Sequence, residues 1–263
     1  MGLSHGIIGW ADVAVPNMGA GAAFYTQLFG WDELSVDGSD TMPYSMFAID
    51  GKAIAGMGPL SPEQAGAGQP PAWSSYVIVD DADAVYAKAL ELGATPAMEV
   101  MDIGDAGRMF FIIDPLGAAI GFWESGTHDG AELFNRPGAM TWNDLMCRDI
   151  EAAKAFYSEL LGWEMNASVI GGFEYTLVSN QGRLNGGMMD VSAMLPSEVP
   201  AHWVTWFLVE DCDASAAKVV ELGGKILREP NDNGVGRSAM VQDPSGASFG
   251  IIATDQIDEQ PPR

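Results

Sequence analysis

The chain repeats itself, and this repeat constrains its architecture more than any other feature of the sequence. The segment GWADVAVPNMGAGAAFYTQLFGW near the N-terminus matches TWNDLMCRDIEAAKAFYSELLGW, which places Trp10 opposite Trp142 and Asp12 opposite Asp144. The match continues through the rest of each half with a period that drifts from 132 to 129 residues. A repeat of this length is a duplicated domain rather than a solenoid unit. We therefore predict a first domain at residues 1–124, a linker at 125–138, a second domain at 139–255 and a tail at 256–263.

Each half contains the same order of elements twice. Gly9–Val15 has the pattern of a strand, Asn17 is a typical helix cap, and Gly30 is a typical residue after a helix end. Three short strands follow, and then the segment GPLSPEQAGAGQPPA, which we expect to be a loop. The same order resumes at Trp73, so the chain carries four βαβββ units and an α+β fold is expected.

The charge of the chain excludes several classes of function. Thirty-six acidic residues face 12 basic ones, for a net charge of −24, so a basic surface for nucleic acid or for anionic lipid is not expected. The sequence shows neither a membrane-spanning run nor a signal peptide. Only Cys147 and Cys212 are available for disulfides, which favours the cytoplasm. The expected partner is a small molecule, and both a monomer and a homodimer remain open.

These motifs together resemble the vicinal oxygen chelate superfamily, which includes glyoxalase I, bleomycin-resistance proteins and ring-cleaving dioxygenases. The resemblance rests on AFY..L.GW, on the Val-Asp-Asp that precedes the second helix of each half, and on DP.G followed by a strand, all present twice. It is closest to the tandem-domain branch whose members are labelled hydroxylases or lactoylglutathione-lyase-related proteins. The resemblance implies that paired βαβββ units form a cup-shaped sheet around a small-molecule cavity.

The superfamily's enzymes usually hold a divalent metal in the cup, and the resemblance implies where its ligands would lie. Transferred by spacing, the positions are Trp10, Ser74 and Gly121 in the first half, and Trp142, Val204 and Gly250 in the second. A catalytic metal needs about three N, O⁻ or S⁻ ligands, and these residues do not supply them. We therefore predict no metal and no cofactor of the family type.

Alternation along the strands predicts what would line the cups instead. If Trp10 and Trp142 face inward, Asp12 and Asp144 do so too, as a hydrogen-bonding group or a general base. The other candidate ligand-binding residues on the inward faces are Ser74, Tyr76, Gly121, Trp123, His202, Trp206 and Gly250. The glycines would let a ligand approach the backbone. The alternative is that the tryptophans only fill the cups as core.

Arg108 and Arg237 occupy equivalent positions before a strand, where they form either an anion clamp at the rim or surface ion pairs. Three functions stay open for the protein as a whole. It binds an aromatic or hydrophobic metabolite, an antibiotic or a reactive aldehyde without a metal, for sequestration or detoxification. Alternatively, it is a glyoxalase-like lyase, an isomerase or a hydroxylase that uses Asp12 or Asp144 as an acid–base group. A non-catalytic partner protein with filled cups is a third possibility.

Overall fold

The structure, a computed structural model, describes residues 2–35, 43–66 and 68–256, and the predicted C-terminal tail lies outside them from residue 257 onward. Within these residues each half of the chain forms an eight-stranded mixed sheet from two βαβββ units, which confirms the α+β fold class. The elements of the first half are β1 (Ile8–Val15), α1 (Met18–Phe29), β2 (Asp32–Ser35), β3 (Ser45–Ile49), β4 (Lys52–Pro59), α2 (Pro62–Gly66), β5 (Ala72–Val79), α3 (Ala82–Glu91), β6 (Thr95–Ile103), β7 (Gly107–Ile113) and β8 (Ala119–Ser125). Those of the second half are β9 (Met140–Cys147), α4 (Ile150–Leu161), β10 (Glu164–Ile170), β11 (Phe173–Asn180), β12 (Arg183–Asp190), β13 (His202–Leu208), α5 (Cys212–Glu221), β14 (Lys225–Asp232), β15 (Arg237–Gln242) and β16 (Ser248–Ala253).

The four longer helices begin where the sequence supplies a short polar side chain. Asn17 caps α1 by accepting a 3.0 Å hydrogen bond from the backbone N–H of Ala20. Asp residues cap α3, α4 and α5 in the same way, because a side-chain oxygen satisfies an N–H of the first turn. Gly30 and Gly162 end α1 and α4 with left-handed backbone, at φ 73° and 71°. None of the described helices is long and apolar enough to cross a membrane.

The short helix α2 lies inside the segment that the sequence analysis predicted to be a loop. Ser61 precedes the helix, which begins Pro62-Glu63-Gln64. The Ser61 hydroxyl accepts a hydrogen bond from the Gln64 N–H at 3.1 Å. In return the Gln64 side-chain oxygen accepts one from the Ser61 N–H at 3.0 Å. This reciprocal pair is a capping box, and proline is well suited to the first helical position. The surrounding Gly and Pro residues obscured this local pattern.

Both sheets have the same strand order, and one face of each carries the helices. The first runs β2-β3-β4-β1-β5-β8-β7-β6, and the second repeats this order from β10 to β14. Along β1, Ala11 and Val13 face the helices, whereas Trp10 belongs to a separate cluster on the opposite face. We call these opposite faces the first cup and the second cup. The alternation along the strands is that expected of a sheet that is covered on one side.

The helix faces of the two halves are buried against each other in exchanged pairs. One core joins Tyr25 and Trp31 of the first unit to Phe207 and Phe249 of the last, with the Tyr25 and Phe249 rings 5.9 Å apart. A second core joins the two middle units. Each half therefore completes the hydrophobic core of the other.

Two equivalent polar contacts accompany this exchange. The Tyr25 hydroxyl donates to Asp243 Oδ2 at 2.8 Å, and the Tyr157 hydroxyl donates to Asp114 Oδ2 at the same distance. Both bonds are buried and connect one half to the other. The tyrosine of each FY pair and the aspartate of each DP turn are thus structural, and their recurrence reflects the domain interface.

The segment between the halves, predicted as a polar linker, packs against the first domain. The Ala131 N–H donates to the Gly9 carbonyl at 2.8 Å, and Glu132 exchanges backbone and side-chain hydrogen bonds with Ala53. Ala131 and Leu133 are 5% and 9% exposed. The segment is therefore part of the folded body rather than a free tether.

Candidate functional site

The second cup encloses a cavity of about 590 Å³. Its floor contains Trp142 and Asp144 on β9 and Trp206 on β13, which the sequence predicted to face inward. Residues of β10, β11 and β12 form one wall, and residues of β14 form the opposite wall. A cavity of this size falls in the range that holds drug-sized ligands.

Aromatic donors surround the Asp144 carboxylate at the floor of this cavity. Trp142 Nε1 donates to Asp144 Oδ1 at 3.0 Å and also contacts the Tyr175 hydroxyl at 2.7 Å. The Tyr175 hydroxyl donates to the same carboxylate oxygen. Burial raises the pKa of Asp144, and this outweighs the lowering by Tyr175, Trp142, Trp206 and the nearby Arg228. The group therefore has a greater tendency to be protonated than an ordinary aspartate.

The first cup contains an equivalent cluster around Asp12. Tyr76 and Tyr44 donate to Asp12 Oδ2 at 2.7 and 3.2 Å, and Trp10 Nε1 donates to the Tyr44 hydroxyl at 3.0 Å. Burial raises the pKa of Asp12 to about 6, against the lowering by the two tyrosines. Both clusters thus contain a carboxyl group that is held by aromatic hydrogen-bond donors.

The two cups differ in what covers the tryptophan. In the first, the His128 ring lies 4.5 Å from the Trp10 ring in an edge-on contact, and its carbonyl accepts the Trp123 Nε1–H at 2.8 Å. Trp10 is only 4% exposed and Trp123 7%, whereas Trp142 is half-buried and lines the open cavity. Trp10 and Trp123 of the first cup are therefore packed as core, which was the alternative weighed for the tryptophans, whereas Trp142 of the second cup lines a cavity.

The strand register shows which residues of the neighbouring strands lie level with Trp10 and with Trp142. Trp10 pairs with Tyr76, which pairs with Gly121, whereas Ser74 lies opposite Asp12. The residue level with Trp10 on β5 is therefore Tyr76 rather than Ser74. In the second cup the corresponding set is Trp142, Trp206 and Gly250.

Neither set fits a divalent metal, because indole N–H groups and glycine offer no ligand atom and a neutral phenol is a weak one. Among the residues that the structure describes, no three His, Cys, Asp or Glu side chains converge on one point. The carboxylate at the floor of each cup is already hydrogen-bonded to aromatic donors. A metal centre of the family type therefore does not match this chain's side chains.

Gly121 and Gly250 have a different role from the one predicted. A Cβ atom at Gly121 would lie 2.6 Å from Tyr76 Cδ1, and one at Gly250 would overlap the Trp206 ring. The space above each glycine is therefore filled by an aromatic ring of the neighbouring strand. This corrects the expectation that the glycines open the backbone to a ligand.

Other predicted residues lie away from the cavity. Arg108 forms ion pairs with Asp83 at 2.7 Å and Asp102 at 3.0 Å, and Arg237 forms a bidentate pair with Asp213. These are the surface ion pairs that were the alternative to an anion clamp. His202 Nδ1–H donates to the Pro200 carbonyl oxygen at 2.9 Å, and the residue does not line the cavity.

Three residues of the cups were not among the site residues predicted from the sequence. Tyr44 and Tyr175 matched in the repeat, which was a usable sign, but only the pairing of β3 and β11 into the sheets shows that they reach Asp12 and Asp144. The third, Arg228, lines the second cavity, and its counterpart in the first half is not basic. Nothing local in the sequence distinguishes it.

The fold and the cups define a tandem βαβββ protein of the glyoxalase type. The family model of the Glyoxalase/Bleomycin resistance protein/Dioxygenase superfamily matches residues 7–122 and 139–251. The chain belongs to this superfamily, and the match to both halves confirms the resemblance found in the sequence.

Two relatives match nearly the whole chain. The protein named "Putative glyoxylase CFP32" of Mycobacterium tuberculosis is 40% identical over 252 residues, which cover 94% of this chain and 95% of that protein. The "Anthracycline biosynthesis protein DnrV" of Streptomyces peucetius is 34% identical over 253 residues, covering 92% and 91%.

Solved structures share the fold at low sequence identity. The Mn(II)-bound glyoxalase from Novosphingobium aromaticivorans has a TM-score of 0.65 at 15% identity, covering 100% of this chain and 87% of its own. The 2,3-dioxygenase LapB from Pseudomonas sp. KL28 has a TM-score of 0.61 at 17% identity, covering 100% and 97%. At these identities the likeness concerns the fold alone.

Proposed function

We propose that the second cup binds a flat, largely apolar small molecule without a metal of the family type. The observation that carries the proposal is the cavity of about 590 Å³ beside Trp142, Asp144 and Trp206. The half-buried Trp142 ring offers apolar surface to a ligand, and burial of such surface contributes roughly 25 cal/mol per Å². The equivalent rings of the first cup are covered by the protein itself, so we expect one ligand per chain.

Asp144 would orient the ligand through a hydrogen bond. Burial raises its pKa; the protonated form donates to a carbonyl or quinone oxygen, and the ionised form accepts from a hydroxyl. Trp142 and Tyr175 hold the carboxyl group in place from one side. A polar group at the edge of an otherwise apolar ring system is the natural partner for this arrangement.

The names of the relatives narrow the ligand class. DnrV is named for anthracycline biosynthesis, and anthracyclines contain fused, planar rings that bear phenol and quinone oxygens. We extend this chemistry to the present chain as a proposal, with sequestration or detoxification of such a compound as the role. The two buried free thiols, Cys147 and Cys212, agree with a cytoplasmic setting.

Calorimetric titration with 1,4-dihydroxyanthraquinone tests the proposal. We expect binding of one molecule per chain, lost or weakened at least tenfold in Trp142→Ala, since deleting a buried aromatic contact typically costs about 2 kcal/mol or more. Trp10→Ala is the matched control, because Trp10 occupies the same position in the covered first cup. Prior treatment with a chelator should leave the affinity unchanged. Equal effects of both substitutions, or no binding by this probe, would contradict the proposal.

A second candidate is an enzyme that uses Asp144 as an acid–base group, as a lyase, isomerase or hydroxylase. The raised pKa of this carboxyl and the name of the glyoxylase relative favour it. Assay with the hemithioacetal of methylglyoxal and glutathione, with and without added Ni²⁺ or Zn²⁺, distinguishes the two. Turnover that disappears in Asp144→Asn would establish the enzyme, whereas probe binding without turnover supports a binding protein.

A further inference from the structure

The second cup contains a cation that the first cup lacks. In the second sheet Arg228 on β14 pairs with Met240 on β15, and in the first sheet Met98 on β6 pairs with Phe111 on β7. These are equivalent positions of the repeat, so arginine stands where the covered cup has methionine. Arg228 is part of the wall of the cavity in the second cup.

Arg228 forms no direct salt bridge with an acidic side chain of the described residues, although the chain carries 36 acidic residues and only 12 basic ones. Its guanidinium donates to the Ser238 hydroxyl at 3.2 Å and lies 5.8 Å from the centre of the Trp206 ring. Asp144 at the floor of the cavity acts on this charge from beyond salt-bridge distance. Asp232 shares the same wall, but its carboxylate accepts the Gly234 N–H at 2.9 Å. No direct ion pair therefore holds the guanidinium.

A buried donor lies beside this cation. Trp206 is 6% exposed, and its Nε1 atom is buried from solvent. This indole N–H is directed towards Asp144, because it lowers the pKa of that carboxyl group. The guanidinium of Arg228 is therefore the donor of this pair that lines the cavity.

The wall opposite Arg228 combines exposed apolar side chains with a second arginine, Arg183 of β12. Val169, Phe173 and Leu184 line the cavity and are 68%, 54% and 55% exposed. Large apolar side chains so exposed at a cavity are typical of a binding surface. The cavity thus offers apolar surface opposite Arg228.

We propose that Arg228 forms a subsite for an acidic oxygen of the ligand, such as a phenolate, carboxylate or sulfonate. The inference rests on the proposed function, because it assumes that the second cup is the ligand site, and it adds that the ligand is an anion. The net charge of −24 gives the opposite expectation, since long-range electrostatics favours a cationic ligand.

Titration of the full chain with three probes of one shape tests this subsite: anthraquinone-2-sulfonate, 2-(aminomethyl)anthraquinone and unsubstituted anthraquinone. We expect the sulfonate to bind most tightly. Arg228→Met, which installs the residue of the first cup, should weaken sulfonate binding about tenfold or more, as expected for loss of a charge-assisted hydrogen bond. Binding of unsubstituted anthraquinone should change little. Arg237→Met removes the same charge outside the cavity and should leave all three affinities unchanged.

The outcomes separate the two proposals. If all three probes bind equally, or if Arg228→Met and Arg237→Met weaken the sulfonate to the same extent, the anion subsite is refuted while the aromatic site stands. If the aminomethyl probe binds best, the subsite is likewise refuted. If no probe binds, the second cup is not an aromatic site, and the proposed function fails together with this inference.

Discussion

Asp12 provides a quantitative test of the electrostatics in the cups. Burial raises its pKa from the ordinary 3.8 to about 6, although Tyr76 and Tyr44 donate hydrogen bonds to it. A difference of this size between the folded and unfolded states corresponds to about 3 kcal/mol, at about 1.4 kcal/mol per pKa unit. The folded protein therefore bears a cost at neutral pH for keeping this carboxylate charged.

The direction of the pH dependence follows from the sign of this difference. Between about pH 4 and pH 6 the folded state retains a proton on Asp12 that the unfolded state has lost, so the contribution of this group to stability falls as the pH rises. Below about pH 4 both states are protonated and the cost disappears. Asp144 and Asp114 also have raised pKa values, so the pH curve of the wild type combines several groups, and a difference between variants is needed to isolate one.

Asp12→Asn isolates it, because the amide keeps an acceptor oxygen for the two tyrosines and cannot ionise. We expect the variant to be about 2–3 kcal/mol more stable than the wild type at about pH 7.5 and nearly equal to it at about pH 4. By differential scanning calorimetry this corresponds to a Tm about 5–10 °C higher at the upper pH. Carbon-13 NMR of the labelled carboxyl group should titrate with a midpoint near pH 6.

A stability difference that does not change between these two pH values would refute the argument, because it would show that the substitution acts through packing alone. A carboxyl midpoint near about 4 would refute it as well, since Asp12 would then be as well solvated as a surface aspartate. Either result would also weaken the case that burial raises the pKa of Asp144, which occupies the homologous position of the second cup.

Three further predictions concern the domain interface, the glycines and metal removal. Tyr25→Phe should lower the free energy of unfolding by about 1–3 kcal/mol in thermal or urea unfolding, because it leaves buried Asp243 and Trp73 without their shared hydroxyl partner. An unchanged stability would show that the hydrogen bonds of the Tyr25 hydroxyl contribute nothing. Gly250→Ala should displace the Trp206 ring, which occupies the space that the alanine methyl group would take. The substitution should weaken anthraquinone binding measured by calorimetry without unfolding the chain. Unaffected binding would argue against Trp206 as part of the floor of the site. Dialysis against a chelator should leave both the Tm and probe binding unchanged, and a fall in either would reveal a metal that supports the fold or the site.

The sequence predicted the architecture because its determinants are local and occur twice. Helix caps such as Asn17, helix-ending glycines such as Gly30, and alternation along β1 each act within a few residues. The same alternation placed Trp142 and Asp144 on one face of β9, where the structure has them. The short helix α2 was missed because its capping residues lie among Gly and Pro, which normally indicate a loop.

The interior of the cups depends on contacts that are distant along the chain, and sequence patterns did not reveal them. Gly250 was expected to expose the backbone, but the Trp206 ring of the neighbouring strand fills that space. The segment at 125–138 was predicted as a linker, and its sequence did not show that His128 covers Trp10. These outcomes require the strand register and the path of the linker, neither of which follows from composition or periodicity.

The distribution of matched and unmatched residues in the repeat explains where a function can reside. The tyrosine–aspartate bridges between the halves match in both copies, because a change in one would leave buried Asp243 or Asp114 unsatisfied. In the cups, Trp10 and Asp12 match Trp142 and Asp144 at the floor. Other cup positions differ, among them Tyr76 and Trp206, Met98 and Arg228, and Trp123 and Ile252. Since the exchanged cores fix the fold without the cups, one cup could fill with the protein's own side chains while the other kept a cavity with a cation in its wall.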